Sequence, residues 1–196
     1  MASAMGLRLQ APPGAEFSYS NLGFGLLAAI AEVVSDRTYP EALREHLLDP
    51  AGMSRTGLDA GRWQAGDLAH GYIDGRDTGT IFGESESTSW GLLGSGGLHT
   101  TPRDMLAWNR ALEGGELFTD EALAKMSARH AAMGPTMAYG YGIGVETTPR
   151  GTTALGHSGS NDVFCALLQR LPDEHALIYV QSNDADVYLF VPHTTP

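Results

Sequence analysis

Apolar residues recur at helical spacing from Leu22 through Leu26, Leu27 and Ile30 to Val34, just after the turn PPG at 12–14. With Ser20 or Asn21 as cap, this spacing predicts a helix to about Ser35. Thr38-Tyr39-Pro40-Glu41 fits a capping box, so a second helix should run to Asp49, where Pro50 stops it. AGMSRTGLD reads as a turn-rich connector, and residues 56–100 as glycine-rich and polar loops with short strands or turns. TPRDMLAWNRAL opens with Thr101 as N-cap and Pro102 at the first helical position, and Gly114-Gly115 closes the helix. Another helix is expected from Thr119 to about Arg129. The period then changes. YGYGIGV at 139–145 alternates large residues with glycine and reads as a strand with one smooth face. TTALGH, DVFCALLQR and HALIYVQS are further strands, the last two joined in a hairpin by LPDE. The order is helices first, then an antiparallel sheet.

Composition narrows the function classes. The 196 residues suit one domain or two closely packed lobes, and 42% hydrophobic residues suffice for a core. Asp and Glu outnumber Lys and Arg by 23 to 12, which argues against a nucleic-acid footprint. Cys165 is the sole cysteine, so neither an intrachain disulfide nor a cysteine-based metal site is available. The seven histidines are scattered outside any zinc-binding spacing, and neither metal nor cofactor is expected. The longest apolar stretch, Leu22 to Val34, falls short of the ~20 residues that span a bilayer. MASAMGLRLQ lacks the pattern of a signal peptide, and the compartment stays open.

Two stretches carry candidate chemistry. Tyr19 and Asn21 lie two apart at the mouth of the first helix. Alone, the pair reads as a packed tyrosine and a helix cap, but a phenol can also relay protons and an amide can orient a substrate. GHSGSND at 156–162 brings His157, a proton relay near neutral pH, together with glycines that admit a substrate backbone. Alone it reads as a tight turn with a solvated histidine. GHSGS is a near miss to the G-x-S-x-G nucleophile elbow, but a strand rather than a helix should follow. GLLGSGGLHTTPRDM at 91–105 lacks the G-K-[ST] of a phosphate-binding loop and reads as a tight loop beneath a site.

In order along the chain, these pieces resemble serine β-lactamase-related hydrolases, the group of class C β-lactamases, penicillin-binding DD-peptidases, D-amino-acid amidases and β-lactamase-fold esterases. The resemblance is carried by PPGAEFSYSNLGFGLLAAIAEVVSDRTYPEALREHLLDPAGMSRTGL, by GSGGLHTTPRDMLAWNRALEGGELFTDEAL, and by YGYGIGV followed by GHSGSNDVF. It implies acyl transfer, in which a Ser-x-x-Lys serine attacks a carbonyl while the lysine and the Tyr-x-Asn tyrosine share the proton. On this resemblance Tyr19 and His157 are the catalytic candidates, and Asn21 holds the amide side of the substrate. His157-Ser158-Gly159 stands for the third motif, and the backbone N–H of Ser160 is one oxyanion donor.

The implied fold is α+β, β-lactamase/transpeptidase-like. After a lead-in at 1–15, a mostly helical lobe at 16–138 precedes antiparallel strands at 139–196, with Tyr19 and His157 facing each other across the cleft. Ser-x-x-Lys itself is absent, since Lys125 is the only lysine and Ala122 stands three residues before it. The chain is therefore expected to represent part of a longer hydrolase, without the opening strands and nucleophile helix and inactive alone. A binding pseudoenzyme for D-amino-acid peptides or acyl ligands is the other reading, and a second polypeptide supplying the serine is a third. The expected partner is a small acyl substrate, and self-association through an exposed sheet edge near residues 139–182 is expected. Relatives of this kind are often exported.

Overall fold

The structure, a computed structural model, describes residues 6, 8–58, 63–80, 91–115 and 117–184. Residues 1–5 and 7 of the 1–15 lead-in, and residues 185–196 of the stretch expected to be strands, lie outside the described residues.

Helix α1 spans Asn21–Ser35. Its cap is Ser20, whose Oγ accepts from the Gly23 N–H at 3.0 Å. Helix α2 covers Tyr39–Leu43 and has the expected capping box from Thr38 to Glu41. The chain does not continue as an α-helix to Asp49. Residues Arg44–Leu48 form a π-helical turn, closed by the Asp49 N–H donating to the Arg44 carbonyl at 2.9 Å. Helix α3 is Pro102–Gly114, capped by Thr101 and ended by Gly115 in the left-handed conformation. Helix α4, Asp120–Met126, is shorter than the expected run to Arg129. The Met126 carbonyl turns instead to accept from Tyr141 at 2.9 Å, tying the helix end to the sheet.

Buried Leu48, Ala51, Met53 and Ala111 form the helical core, with Met105 and Trp108 packed against them. A polar clamp fixes this core to the connector before it. Buried Asp104 of α3 accepts from the Arg55 N–H at 2.7 Å and from the Thr56 hydroxyl at 2.8 Å. Strands β1 (Gly71–Ile73) and β2 (Arg76–Gly79) make a small separate hairpin.

The main sheet is fully antiparallel and runs in sequence order: β3 (Ala131–Ala132), β4 (Met137–Tyr139), β5 (Gly144–Thr147), β6 (Thr153–Ser160), β7 (Cys165–Leu171) and β8 (Ala176–Ser182). YGYGIGV is therefore not one strand. Tyr139 ends β4 and Gly144 opens β5, with Gly142 at φ 75° in the turn between. Gly140 is required there because an added Cβ would collide with the Met126 carbonyl oxygen. The β7–β8 hairpin forms around Pro172–Glu174 as its sequence predicts.

Among the described residues, two apolar surfaces remain uncovered. In α1 the residues at helical spacing do not face the core. Leu22, Leu27, Ile30, Val33 and Val34 are exposed, the last two by 79% and 80%, whereas Gly25, Ala28 and Ala29 are buried. The small residues let the 92–95 loop come close; an added Cβ at Gly94 would strike the Phe24 carbonyl and Ala28. Strand β8 pairs only with β7 among the described strands, and its Ile178 and Val180 are exposed.

Candidate active site

The site forms where the entry to α1 meets the far end of β6. Ser20 serves as the cap, so the Asn21 amide is not committed to helix capping and lies exposed at the first turn. Tyr19, just before the cap, is 49% exposed. Its ring centroid lies 6.0 Å from that of His157, with the planes tilted by 37°. Residues 138 positions apart in sequence thus share one crevice.

GHSGSND is not a tight turn. Residues 156–160 continue β6, and the chain turns only at Asn161–Asp162, where Asp162 takes φ 73°. The Asn161 side chain closes this turn by accepting from the Phe164 N–H at 2.8 Å. A strand, β7, follows, so no nucleophile elbow forms. The pairing of β6 is asymmetric: β7 matches Leu155 through Ser160, whereas β5 stops at Gly156. His157, Ser158, Gly159 and Ser160 therefore pair with β7 on one side and outrun β5 on the other. At Gly159 an added Cβ would meet nothing within 4 Å, so a ligand backbone has room to approach. Such an edge offers strand N–H groups to a carbonyl.

Sequence reasoning placed Tyr139 in a strand and gave it no role. The structure packs its ring against both candidate residues. Its hydroxyl lies 2.9 Å from His157 Nε2, and its centroid 6.0 Å from Tyr19 and 5.9 Å from His157. Phe17 packs on the same ring at 5.4 Å. Burial, reinforced by the adjacent Tyr19 hydroxyl, pushes the Tyr139 pKa up to about 12, so it stays protonated near neutral pH. A cavity of about 240 Å³ opens beside this cluster, lined by Phe17, Tyr19, Gly23, Phe24, Leu27 and Tyr139. The sequence signal for Tyr139 was weak, because its neighbourhood depends on strand order rather than on spacing. Gly94 lets the 91–105 loop pack closely against α1. No cluster of three or more metal-binding side chains occurs among the described residues, and none of their helices is long and apolar enough to cross a membrane.

Known proteins share this architecture. A penicillin-binding protein from Bacillus halodurans superposes with a TM-score of 0.78 at 26% identity, over 90% of this chain and 55% of that one. The octameric penicillin-binding protein homologue from Pyrococcus abyssi gives 0.76 at 27% identity, over 88% of this chain and 40% of that one. In sequence, a D-aminopeptidase of Cereibacter sphaeroides (strain KD131) is 28% identical over 173 residues, covering 88% of this chain. The chain spans only 33% of that enzyme's length. The fold is thus the α+β architecture of β-lactamases and transpeptidases, and with the β-lactamase family model matching residues 1–189, this chain belongs to the β-lactamase family.

Proposed function

We propose that the chain carries the substrate-gripping and proton-handling part of a serine acyl-transfer hydrolase for esters, amides or β-lactams, and that it does not turn over by itself. The supporting observation is the 6.0 Å approach of Tyr19 to His157 beside the open edge of β6. In this reading Tyr19 exchanges a proton with the attacking or leaving group. Asn21 orients the amide of the substrate. Residues Ser158, Gly159 and Ser160 receive the substrate along the strand edge, and the Ser160 N–H polarises the carbonyl. His157 completes the electrostatic wall of the crevice. The covalent step needs a nucleophilic serine activated by a base, and the sequence contains no Ser-x-x-Lys to supply it. Binding groups alone do not replace that step.

The same observations favour a second reading, a non-catalytic binder of D-amino-acid peptides or acyl ligands, because the gripping groups stand together without a Ser-x-x-Lys pair. One experiment separates the readings. Nitrocefin and a p-nitrophenyl ester are expected to react with the chain no faster than in buffer. Turnover that Tyr19→Phe abolishes would refute inactivity. Saturable binding of a D-amino-acid amide, followed by backbone amide shifts around Asn21 and Ser160, would support the binder.

Self-association follows from the two bare apolar surfaces. With β8 paired to β7 alone among the described strands and the α1 face exposed, the chain is expected to sediment as more than a monomer at micromolar concentration. Ile30→Glu together with Val33→Glu should shift the distribution toward monomer. A wild-type chain that sediments only as a monomer would contradict the proposal.

A further inference from the structure

Both nitrogens of the His157 ring have defined neighbours. Nδ1 lies 2.6 Å from the Ser158 carbonyl oxygen. A carbonyl can only accept, so Nδ1 carries a proton. In the neutral imidazole Nε2 is then a bare acceptor, and the group facing it at 2.9 Å is the Tyr139 hydroxyl. That hydroxyl donates. Tyr139 is only 9% exposed and is braced by Phe17 on its ring, so its phenol has little freedom to turn away.

We propose that Tyr139 is a positioning residue that holds the neutral tautomer and ring plane of His157 beside Tyr19. The positioning follows from the donor and acceptor count. When His157 is neutral, Tyr139 donates to Nε2. When His157 takes a second proton at Nε2, that N–H donates to the Tyr139 oxygen, and the Tyr139 proton must turn away from the imidazole. No covalent bond to Tyr139 breaks, and the O–H only turns. A phenol held protonated by burial suits this role. The role rests on the reading of Tyr19 and His157 as the acyl-transfer site, but the arrangement can be measured without any turnover.

The test is nitrogen NMR of the intact chain with ¹⁵N-labelled histidine, reading two-bond proton–nitrogen correlations. In the wild type, His157 should show a protonated Nδ1 and an Nε2 shifted by a hydrogen bond. In Tyr139→Phe, which keeps the ring but removes the donor, Nε2 should move to the position of an unbonded acceptor or average between tautomers. Tyr19→Phe should leave Nδ1 protonated. An Nε2-protonated His157 in the wild type, or a Tyr139→Phe spectrum identical to wild type, would overturn the proposal. Should Tyr139→Phe fail to fold, the wild-type tautomer alone decides, since only a protonated Nδ1 with a hydrogen-bonded Nε2 sustains it. Failure of the acyl-site reading would appear separately, as absent ligand binding with the His157 tautomer unchanged.

Discussion

Gly156→Val is expected to lower folding stability by about 4 kcal/mol and to break the Tyr139–His157 hydrogen bond. Gly156 lies in the middle of the sheet, paired with Gly144 on β5 and Gln169 on β7. A Cβ there would collide with the Leu168 carbonyl oxygen and press on the Gln169 Cα. Both are backbone atoms of a strand paired on its other side with β8, so neither can yield without breaking the ladder. Valine is otherwise favoured in strands, so any loss is steric rather than conformational. Gly159→Ala, three residues further on, supplies the control. Its Cβ meets nothing within 4 Å, and stability should change by less than about 0.5 kcal/mol. Urea denaturation would show the midpoint of Gly156→Val falling with its slope unchanged. A loss below about 1 kcal/mol would mean that the strands can separate at this point, and that the adjacent His157 is not rigidly placed.

Asn109→Leu is expected to cost about 3 kcal/mol, and adding Arg170→Met should recover much of that loss. Arg170 on β7 and Asn109 on α3 are both buried. The Arg170 Nε donates to Asn109 Oδ1 at 2.6 Å, and Asn109 Nδ2 in turn donates to Glu113 at 3.0 Å. Glu113 faces the guanidinium at 3.8 Å and is half-exposed, so it screens the charge only in part. Burial lowers the Arg170 pKa and Glu113 opposes the shift, but an arginine stays charged at neutral pH. Removing Asn109 leaves a buried cation without its hydrogen bond, whereas removing both partners leaves an apolar contact between helix and sheet. The double variant should therefore be more stable than Asn109→Leu alone. Equal stabilities would show that this pair does not join α3 to the sheet.

The local rules were legible because they depend on neighbours in sequence. Ser20, Thr38, Thr101 and Thr119 mark the helix starts, and Gly115 marks the end of α3. The β7–β8 hairpin follows from two apolar runs around Leu171-Pro172-Asp173-Glu174. Where the reading failed, a distant contact had overridden a local preference. YGYGIGV alternates like a strand, yet it turns because Gly140 must pass the end of α4. The apolar spacing of α1 correctly predicts a helix and says nothing of which face is covered. Its small residues are buried because the 92–95 loop approaches there. Tyr19 and His157 were paired only by family resemblance, since nothing in spacing or composition brings residues so far apart together.

The helix caps and the absence of a Ser-x-x-Lys pair were readable from the residues themselves. Those are properties of residue identity and near neighbours. Only long-range packing brings Tyr139 against both Tyr19 and His157 and lets β6 outrun β5 beside them. Strand order and register set these relations, and they arise from packing between segments that have no local reason to meet.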